Sequence, residues 1–222
     1  MVIATLFDFD GVLVDSEPVH HAAFNDVLAK HGITIGYQEY LDRYLSLDDA
    51  GVFRTALSRD GHTLREEEVR QCIAAKAPRF MARFEEAFRT FPGAPELVAR
   101  RAARGPVGIV SGALEREIVY ALEKMGVRDA VAFIVSAEKS RASKPDPAPF
   151  LLGLDELRRL DHRGGVVVVE DSTGGITSAK RAGLRCIGVA QSYPRDVLLA
   201  AGADAVVADL AALTDDVLES AV

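Results

Sequence analysis

The sequence is poor in cysteine, and this scarcity limits the kinds of site it can form. Its 222 residues include only Cys72 and Cys186, which lie far apart and outside any Cys-x-x-Cys spacing. Isolated cysteines favour a reduced compartment and argue against both a disulfide framework and a cysteine-ligated metal site. We interpret both residues as small buried apolar side chains.

Long hydrophobic runs are also lacking. The first apolar run covers only residues 2–7, no basic segment precedes it, and it ends at Asp8. Nothing elsewhere in the chain approaches the roughly 18 apolar residues that a membrane span requires. We therefore expect a cytoplasmic protein.

No basic run is present either, because the Lys and Arg residues are scattered and the formal charge is −7. This distribution argues against nucleic acid or an anionic membrane as the main partner, and no segment suggests an obligatory protein partner. A small anionic substrate is compatible with it, since local positive charge at a site can outweigh the overall balance.

Short β-branched runs alternate with longer helical patterns along most of the chain. The predicted strands are Ile3–Phe9, Val107–Val110, Val131–Val135, Val166–Val169, Cys186–Ala190 and Ala205–Ala208. Continuous apolar runs bounded by Gly and Pro are typical of strands buried on both faces. With helices between them, they predict an α/β fold with a Rossmann-like parallel sheet.

Residues 16–88 depart from this alternation, because they show helical patterns and no convincing strand. Ser16 to Lys30 is amphipathic, and Glu66 to Arg89 predicts one or two helices broken near Pro78. We therefore predict an α/β catalytic core of residues 1–15 and 89–222, with a helical cap inserted at residues 16–88.

Polar residues follow four of the predicted strands. Asp8 and Asp10 stand at alternate positions after the first strand, so both point the same way if the strand continues. The other three groups are Ser111-Gly112, Lys144 just ahead of a predicted helix, and Glu170-Asp171. Ligands of open parallel sheets bind beyond the carboxyl ends of the strands, so we expect these residues around one crevice.

The predicted crevice is rich in carboxylates. Clustered carboxylates repel one another, and Lys144 alone cannot balance four of them. Asp8, Asp10 and Asp171 offer the oxygen ligands that Mg²⁺ prefers. A carboxylate beside such a cation can attack phosphorus, while Ser111 and Lys144 hold the phosphoryl oxygens. Asp10 could act as the general acid and base.

These four motifs resemble those of the haloacid dehalogenase superfamily, and within it the capped β-phosphoglucomutase and phosphoglycolate-phosphatase-like branch. The matching residues are Asp8 to Ser16, Ser111-Gly112, Lys144-Pro145-Asp146-Pro147, and Glu170-Asp171-Ser172 with Gly175, Ala179, Ala182 and Gly183. The motifs occur in the family's order and span nearly the whole chain outside residues 16–88.

The resemblance implies a phosphoric monoester hydrolase that works through an aspartyl-phosphate. Asp8 is then the nucleophile and Asp10 the general acid and base, with Ser111, Gly112 and Lys144 binding phosphate. It further implies that Mg²⁺ is held by Asp8, the Asp10 backbone carbonyl and Asp171. Glu170 would assist, directly or through water.

Residues of the predicted cap bear on the substrate. His20 matches a histidine of the mutase-like branch, and the alternative is a hinge or surface histidine. Lys76 stands where the family often places a lysine that faces the crevice, and the alternative is a solvated lysine. The mutase-like pattern also has an early cap arginine, where this chain has Ser46-Leu47-Asp48-Asp49.

We therefore favour a phosphatase of a small phosphorylated metabolite, such as a sugar phosphate or phosphoglycolate. A phosphomutase is the alternative, and a catalytically silent binding module is a third reading that the filled catalytic positions oppose.

Overall fold

The computed structural model describes residues 2–45, 47–58 and 65–220. The chain forms two compact units, one of Met1–Asp15 with Thr90–Val222 and one of Ser16–Arg89. Ser46, the first residue of the early cap segment named above, lies outside the described residues. That the second unit acts as a cap stays a prediction.

The unit at residues 16–89 is helical, and its described residues include no strand. Its helices are α1 (Glu17–Leu28), α2 (Tyr37–Arg43), α3 (Asp49–Leu57) and α4 (Glu66–Glu86). Aromatic side chains contribute to its core, where Phe24, Tyr40, Tyr44 and Phe53 are all buried beside aliphatic residues. Large aromatic rings supply much apolar contact area per residue, which suits a unit of this size.

Helix α4 is continuous, and the expected break near Pro78 is wrong. The helix runs from Glu66 to Glu86 with Pro78 inside it. An interior proline costs about 3 kcal/mol because it removes an N–H group and crowds the preceding turn. Burial of Val69, Phe80 and Phe84 on both sides of Pro78 offsets that cost, so tertiary packing overrides the local preference.

The other unit is built on a six-stranded sheet with the strand order β3-β2-β1-β4-β5-β6. Every pairing in it is parallel. The strands are β1 (Ala4–Phe7), β2 (Val107–Val110), β3 (Phe133–Val135), β4 (Val166–Glu170), β5 (Arg185–Val189) and β6 (Ala205–Val207). The predicted α/β fold with a parallel sheet is confirmed, and each predicted strand overlaps an observed one.

Helices connect the strands and cover the sheet. They are α5 (Ala94–Ala102), α6 (Glu115–Lys124), α7 (Ala148–Arg159), α8 (Thr173–Arg181), α9 (Arg195–Ala200) and α10 (Asp215–Ser220). Leu6 and Val168 of the sheet share one buried cluster with Phe150 of α7, Ile176 of α8 and Leu198 of α9. Across the part of the chain that is described, no helix is long and apolar enough to cross a membrane.

The sheet register aligns the ends of the central strands. Phe7, the last residue of β1, pairs with Ile109 of β2 and with Val169 of β4. Both neighbours end one residue further on, so three parallel strands finish at one edge of the sheet. The residues that follow them are therefore brought together at this edge.

Candidate active site

The chain segments that follow the strands are held in place by backbone hydrogen bonds. The Asp8 N–H group donates to the Val169 carbonyl over 3.0 Å, and the Ser111 N–H group donates to the Val135 carbonyl over 2.9 Å. Asp8, Ser111 and Asp171 are all buried, and Glu170 has no exposed surface. Fixed backbone thus presents these polar side chains at the edge of the sheet with little freedom to move.

Lys144 joins three strand ends through its ammonium group. Its Nζ atom lies 2.7 Å from Asp8 Oδ1, 2.6 Å from Glu170 Oε1 and 2.9 Å from the Val110 carbonyl oxygen. An ammonium has three N–H donors, and here each has an acceptor. The loop between β3 and α7 is therefore tied to β1, β2 and β4 by one side chain.

Helix α8 supports the backbone beside Lys144. The buried Ser178 hydroxyl donates to the Asp146 carbonyl, and the Arg181 guanidinium donates to the Pro145 carbonyl over 3.2 Å. These contacts hold the two residues that follow Lys144 in the chain. They position the Lys144 backbone and leave the Lys144 side chain to its own contacts.

Glu170 is fixed by donors on its second oxygen. Oε2 accepts from the Asp171 N–H group at 3.0 Å, and from the N–H and hydroxyl groups of Ser172 at 3.1 and 3.0 Å. A Cβ atom at Gly175 would overlap this carboxylate. Glycine there allows the buried Glu170 side chain to lie against the first turn of α8.

Asp8, Glu170 and Asp171 form an acidic cluster in which one carboxylate oxygen from each lies within 4.8 Å of the others. Three buried carboxylates beside one ammonium leave an excess of negative charge, and oxygen donors at this spacing fit a hard divalent cation. The half-buried Asp10 side chain is outside this cluster. Its backbone belongs to a tight loop in which Asp10 and Val14 form a bridge.

The electrostatics of Asp8 and Lys144 reflect this crowding. Burial and then the Glu170 charge raise the pKa of Asp8, the Lys144 charge and hydrogen bond oppose them, and the pKa is raised on balance to about 7. Burial lowers the pKa of Lys144, but the carboxylates of Asp8 and Glu170 outweigh it and bring that pKa above its ordinary value. Lys144 therefore stays charged at neutral pH.

Ser111 and Gly112 occupy the edge beyond β2. Ser111 Oγ accepts from the Ala113 N–H group at 3.0 Å, and as an acceptor there it keeps its own proton for donation. Gly112 is exposed, and a Cβ atom at that position would meet nothing within 4 Å. The backbone at Gly112 is thus approachable by a ligand.

His20 and Lys76 belong to the helical unit, where they contact each other. Lys76 Nζ lies 2.9 Å from His20 Nδ1, bonds the Asp49 carboxylate and sits 4.0 Å from the centre of the Phe24 ring. Its relative exposure is only 2%. Lys76 is therefore a buried lysine held by two half-buried polar partners of the same unit.

Two residues of the edge were not identified by the sequence motifs. Gln191 and Ser192 follow β5, which ends at the same edge as the other strands. The Gln191 amide donates to the carbonyl oxygens of Gly11 and Val12, and the Ser192 hydroxyl donates to Asp171 Oδ2. Their place directly after a predicted parallel strand was the signal that could have identified them.

Comparison with known proteins finds phosphatases among the relatives of this chain. The chain is 34% identical over 209 residues to hexitol phosphatase B of Escherichia coli (strain K12), covering 89% of each protein. It is 28% identical over 217 residues to a phosphoglycolate phosphatase of Rhodospirillum rubrum, covering 96% of this chain and 89% of that one. A crystal structure of β-phosphoglucomutase from Clostridium difficile shares the fold, with a TM-score of 0.83 at 22% identity, over 100% of this chain and 97% of that one.

The sequence profile of the haloacid dehalogenase-like hydrolases matches residues 5–189, which include all four motifs. The predicted enzyme class, a phosphoric monoester hydrolase of this kind, is confirmed by the phosphatase relatives. The chain belongs to the haloacid dehalogenase-like hydrolase family.

Proposed function

We propose that this chain is a Mg²⁺-dependent phosphatase that hydrolyses a small phosphorylated metabolite through an aspartyl-phosphate on Asp8. The observation that carries the proposal is the position of the Asp8 carboxylate. It lies 2.7 Å from the Lys144 ammonium and within 4.8 Å of carboxylate oxygens of Glu170 and Asp171. A buried carboxylate in such a setting is suited to attack an anionic phosphoryl group. The Lys144 ammonium and a cation bound at the acidic cluster would both offset the negative charge of the two reacting groups.

The proposed reaction has two steps at phosphorus. In the first, an Asp8 oxygen forms a bond to phosphorus, the bond to the substrate oxygen breaks, and Asp10 gives that oxygen a proton. In the second, Asp10 takes a proton from water, whose oxygen attacks phosphorus while the bond to Asp8 breaks. Inorganic phosphate leaves, and both aspartates return to their starting states.

The acidic cluster of Asp8, Glu170 and Asp171 supports the proposed Mg²⁺ site. Asp8 and Asp171 would hold Mg²⁺ together with the Asp10 carbonyl oxygen that the family resemblance implies, and Glu170 would assist. When bound, Mg²⁺ supplies charge that offsets repulsion between the Asp8 carboxylate and the phosphoryl oxygens. In the same proposal, Ser111, the Gly112 backbone N–H group and Lys144 bind the phosphoryl oxygens as fixed donors.

The names of the relatives guide the choice of substrate. Hexitol phosphatase B and phosphoglycolate phosphatase act, by those names, on small phosphorylated compounds. We propose a substrate of the sugar phosphate or phosphoglycolate type, and we propose that His20 and Lys76 contribute to its selection. A reduced, cytoplasmic setting is also proposed, supported by two buried cysteines that form no disulfide.

The phosphomutase alternative requires a second phosphate to be gripped. In the helical unit, the Asp48 carboxylate caps α3 by accepting from the Gly51 N–H group, and the Asp49 carboxylate bonds Lys76. These acids occupy the segment where the mutase-like pattern has an arginine. The segment thus favours a monophosphate substrate.

The experiment that tests the proposal measures phosphate release from a panel of compounds in the presence of Mg²⁺. The panel includes a hexitol 6-phosphate, phosphoglycolate and β-glucose 1-phosphate. Strong release from one compound supports the phosphatase. Formation of glucose 6-phosphate without phosphate release, once a bisphosphate has primed Asp8, would favour the mutase. Phosphate release from none of these compounds would contradict the proposed substrate class. Lys76→Met on the same panel is expected to change the ranking of substrates while Asp8-dependent turnover persists.

A further inference from the structure

The loop that follows β5 connects two parts of the candidate active site. Gln191 binds the turn after β1 through the Gly11 and Val12 carbonyl oxygens, and Ser192 binds Asp171 after β4. Gln191 and Ser192 are half-buried, and Asp171 is only 4% exposed. The Gln191 contacts hold the loop near its start, so the adjacent Ser192 hydroxyl is held beside the Asp171 carboxylate.

Gly11 shows how closely these groups pack. Its φ angle is +75°, and a Cβ atom there would overlap Asp171 Oδ2 and lie 2.8 Å from Ser192 Oγ. Only a residue without a side chain allows Asp171 and Ser192 to approach the turn in this way. Little space remains in which the Asp171 carboxylate could rotate.

A hydroxyl donor acts on a metal-binding carboxylate in a known way. Hydrogen bonds to such a carboxylate fix its orientation, and losing one typically weakens metal affinity about 10- to 100-fold. We propose that Ser192 is a positioning residue that sets the orientation of Asp171 for the divalent cation. This inference rests on the proposed function, because it takes Asp171 to be a ligand of that cation.

The test measures Mg²⁺ binding to the metal-free protein by isothermal titration calorimetry, so that it does not depend on activity. Ser192→Ala is expected to raise the dissociation constant for Mg²⁺ about 10-fold. Ser192→Thr keeps the hydroxyl and is expected to recover most of that loss. Ser220→Ala is the matched control, because the exposed Ser220 hydroxyl donates to the Val217 carbonyl of its own helix.

A second measurement distinguishes loss of Asp171 positioning from general damage to the fold. With saturating Mg²⁺, kcat of Ser192→Ala is expected to stay near the wild-type value, while the Mg²⁺ concentration for half-maximal activity rises. Melting temperatures in EDTA check that each variant folds like the wild type.

The outcomes distinguish the inference from the function on which it rests. Wild-type Mg²⁺ affinity in Ser192→Ala would overturn the role of Ser192 and leave the metal site intact. Equal weakening in Ser192→Thr and Ser192→Ala would also overturn it, since the hydroxyl would then not matter. If the wild type itself bound no Mg²⁺, both the proposed metal site and this inference would fail.

Discussion

Lys144 and Asp8 are 136 residues apart in the chain, yet the Lys144 ammonium donates to Asp8 Oδ1 over 2.7 Å. The same ammonium bonds Glu170, so it compensates two of the three clustered carboxylates. Burial and the Glu170 charge still raise the pKa of Asp8 to about 7. Lys144 alone therefore does not fully stabilise an ionised Asp8, which is why a cation is expected to complete the site.

Asp8→Asn is predicted to abolish turnover. An amide cannot form the acyl-phosphate bond, a mixed anhydride, of the proposed intermediate, so kcat should fall by at least about 1000-fold. The amide oxygen can still accept from Lys144, and the change removes one of three crowded negative charges. We therefore expect a melting temperature in EDTA at or above that of the wild type. Near-normal turnover would exclude Asp8 as the nucleophile.

Asp10→Asn is predicted to act differently on substrates with different leaving groups. The p-nitrophenolate group leaves without a proton, whereas a sugar alkoxide needs one. With p-nitrophenyl phosphate, the variant should release a burst of p-nitrophenol of about one equivalent per enzyme and then turn over slowly, because water attack still lacks its base. A sugar phosphate should give no burst. Equal impairment of both steps with both substrates would contradict the role of Asp10.

Metal removal is predicted to stop catalysis reversibly. Treatment with EDTA should eliminate phosphate release, and added Mg²⁺ should restore it, because the acidic cluster otherwise repels an anionic substrate. Mg²⁺ at about 100 times its dissociation constant should also raise the free energy of unfolding by about 2.7 kcal/mol. Full activity in excess EDTA would contradict the proposal.

Gly175→Ala is predicted to damage both stability and activity. The new Cβ atom would overlap the buried Glu170 carboxylate, and overpacking of this kind costs about 1 to 3 kcal/mol. A displaced Glu170 would also release one of the three contacts of Lys144. Denaturant unfolding and phosphate release would measure the two effects.

The neighbouring Gly174→Ala is the matched control for that variant. A Cβ atom at Gly174 would meet nothing within 4 Å, and the residue lies in the same helix. Alanine is the better helix former by about 1 kcal/mol, so this variant should be as stable as the wild type or more stable. Equal destabilisation of both variants would show that the Glu170 contact is not the cause.

Asp215→Asn is predicted to make stability less dependent on acidic pH. The Asp215 carboxylate accepts from the buried Arg101 guanidinium over 2.9 Å. Partial burial raises the pKa of Asp215, but the Arg101 hydrogen bond and nearby arginine charges outweigh it and lower that pKa below 3.8. A carboxylate whose pKa is lower in the folded than in the unfolded state stabilises the fold at pH values above its unfolded-state pKa. This contribution is lost as the pH falls through the folded-state pKa.

At pH 7 the Asp215→Asn variant should therefore lose about 1 to 2 kcal/mol of unfolding free energy. The difference from the wild type should shrink below about pH 4. Asp216→Asn, at an exposed neighbouring position, should change stability by less than about 0.5 kcal/mol. Denaturant unfolding at several pH values measures both variants, and a constant gap across the series would contradict the assignment.

Local pattern was enough to predict most of the core. Runs such as Val166–Val169 are apolar at every position and bounded by Gly or a charged residue, a pattern typical of strands buried on both faces. Helices were predicted less well, since α4 passes through Pro78 without a break. The local preference of proline against a helix interior amounts to about 3 kcal/mol, and burial of Phe80 and Phe84 on the same helix outweighs it.

The chemistry of the site divides in the same way. The sequence alone determined that Asp8, Ser111, Lys144 and Asp171 would follow parallel strands, because strand ends of one sheet share an edge. Only the tertiary structure decided which atoms meet there, namely the Lys144 bond to the Val110 carbonyl and the Ser192 bond to Asp171. Such contacts join segments that are distant in the chain, and their geometry depends on strand register and loop packing, which no local pattern encodes.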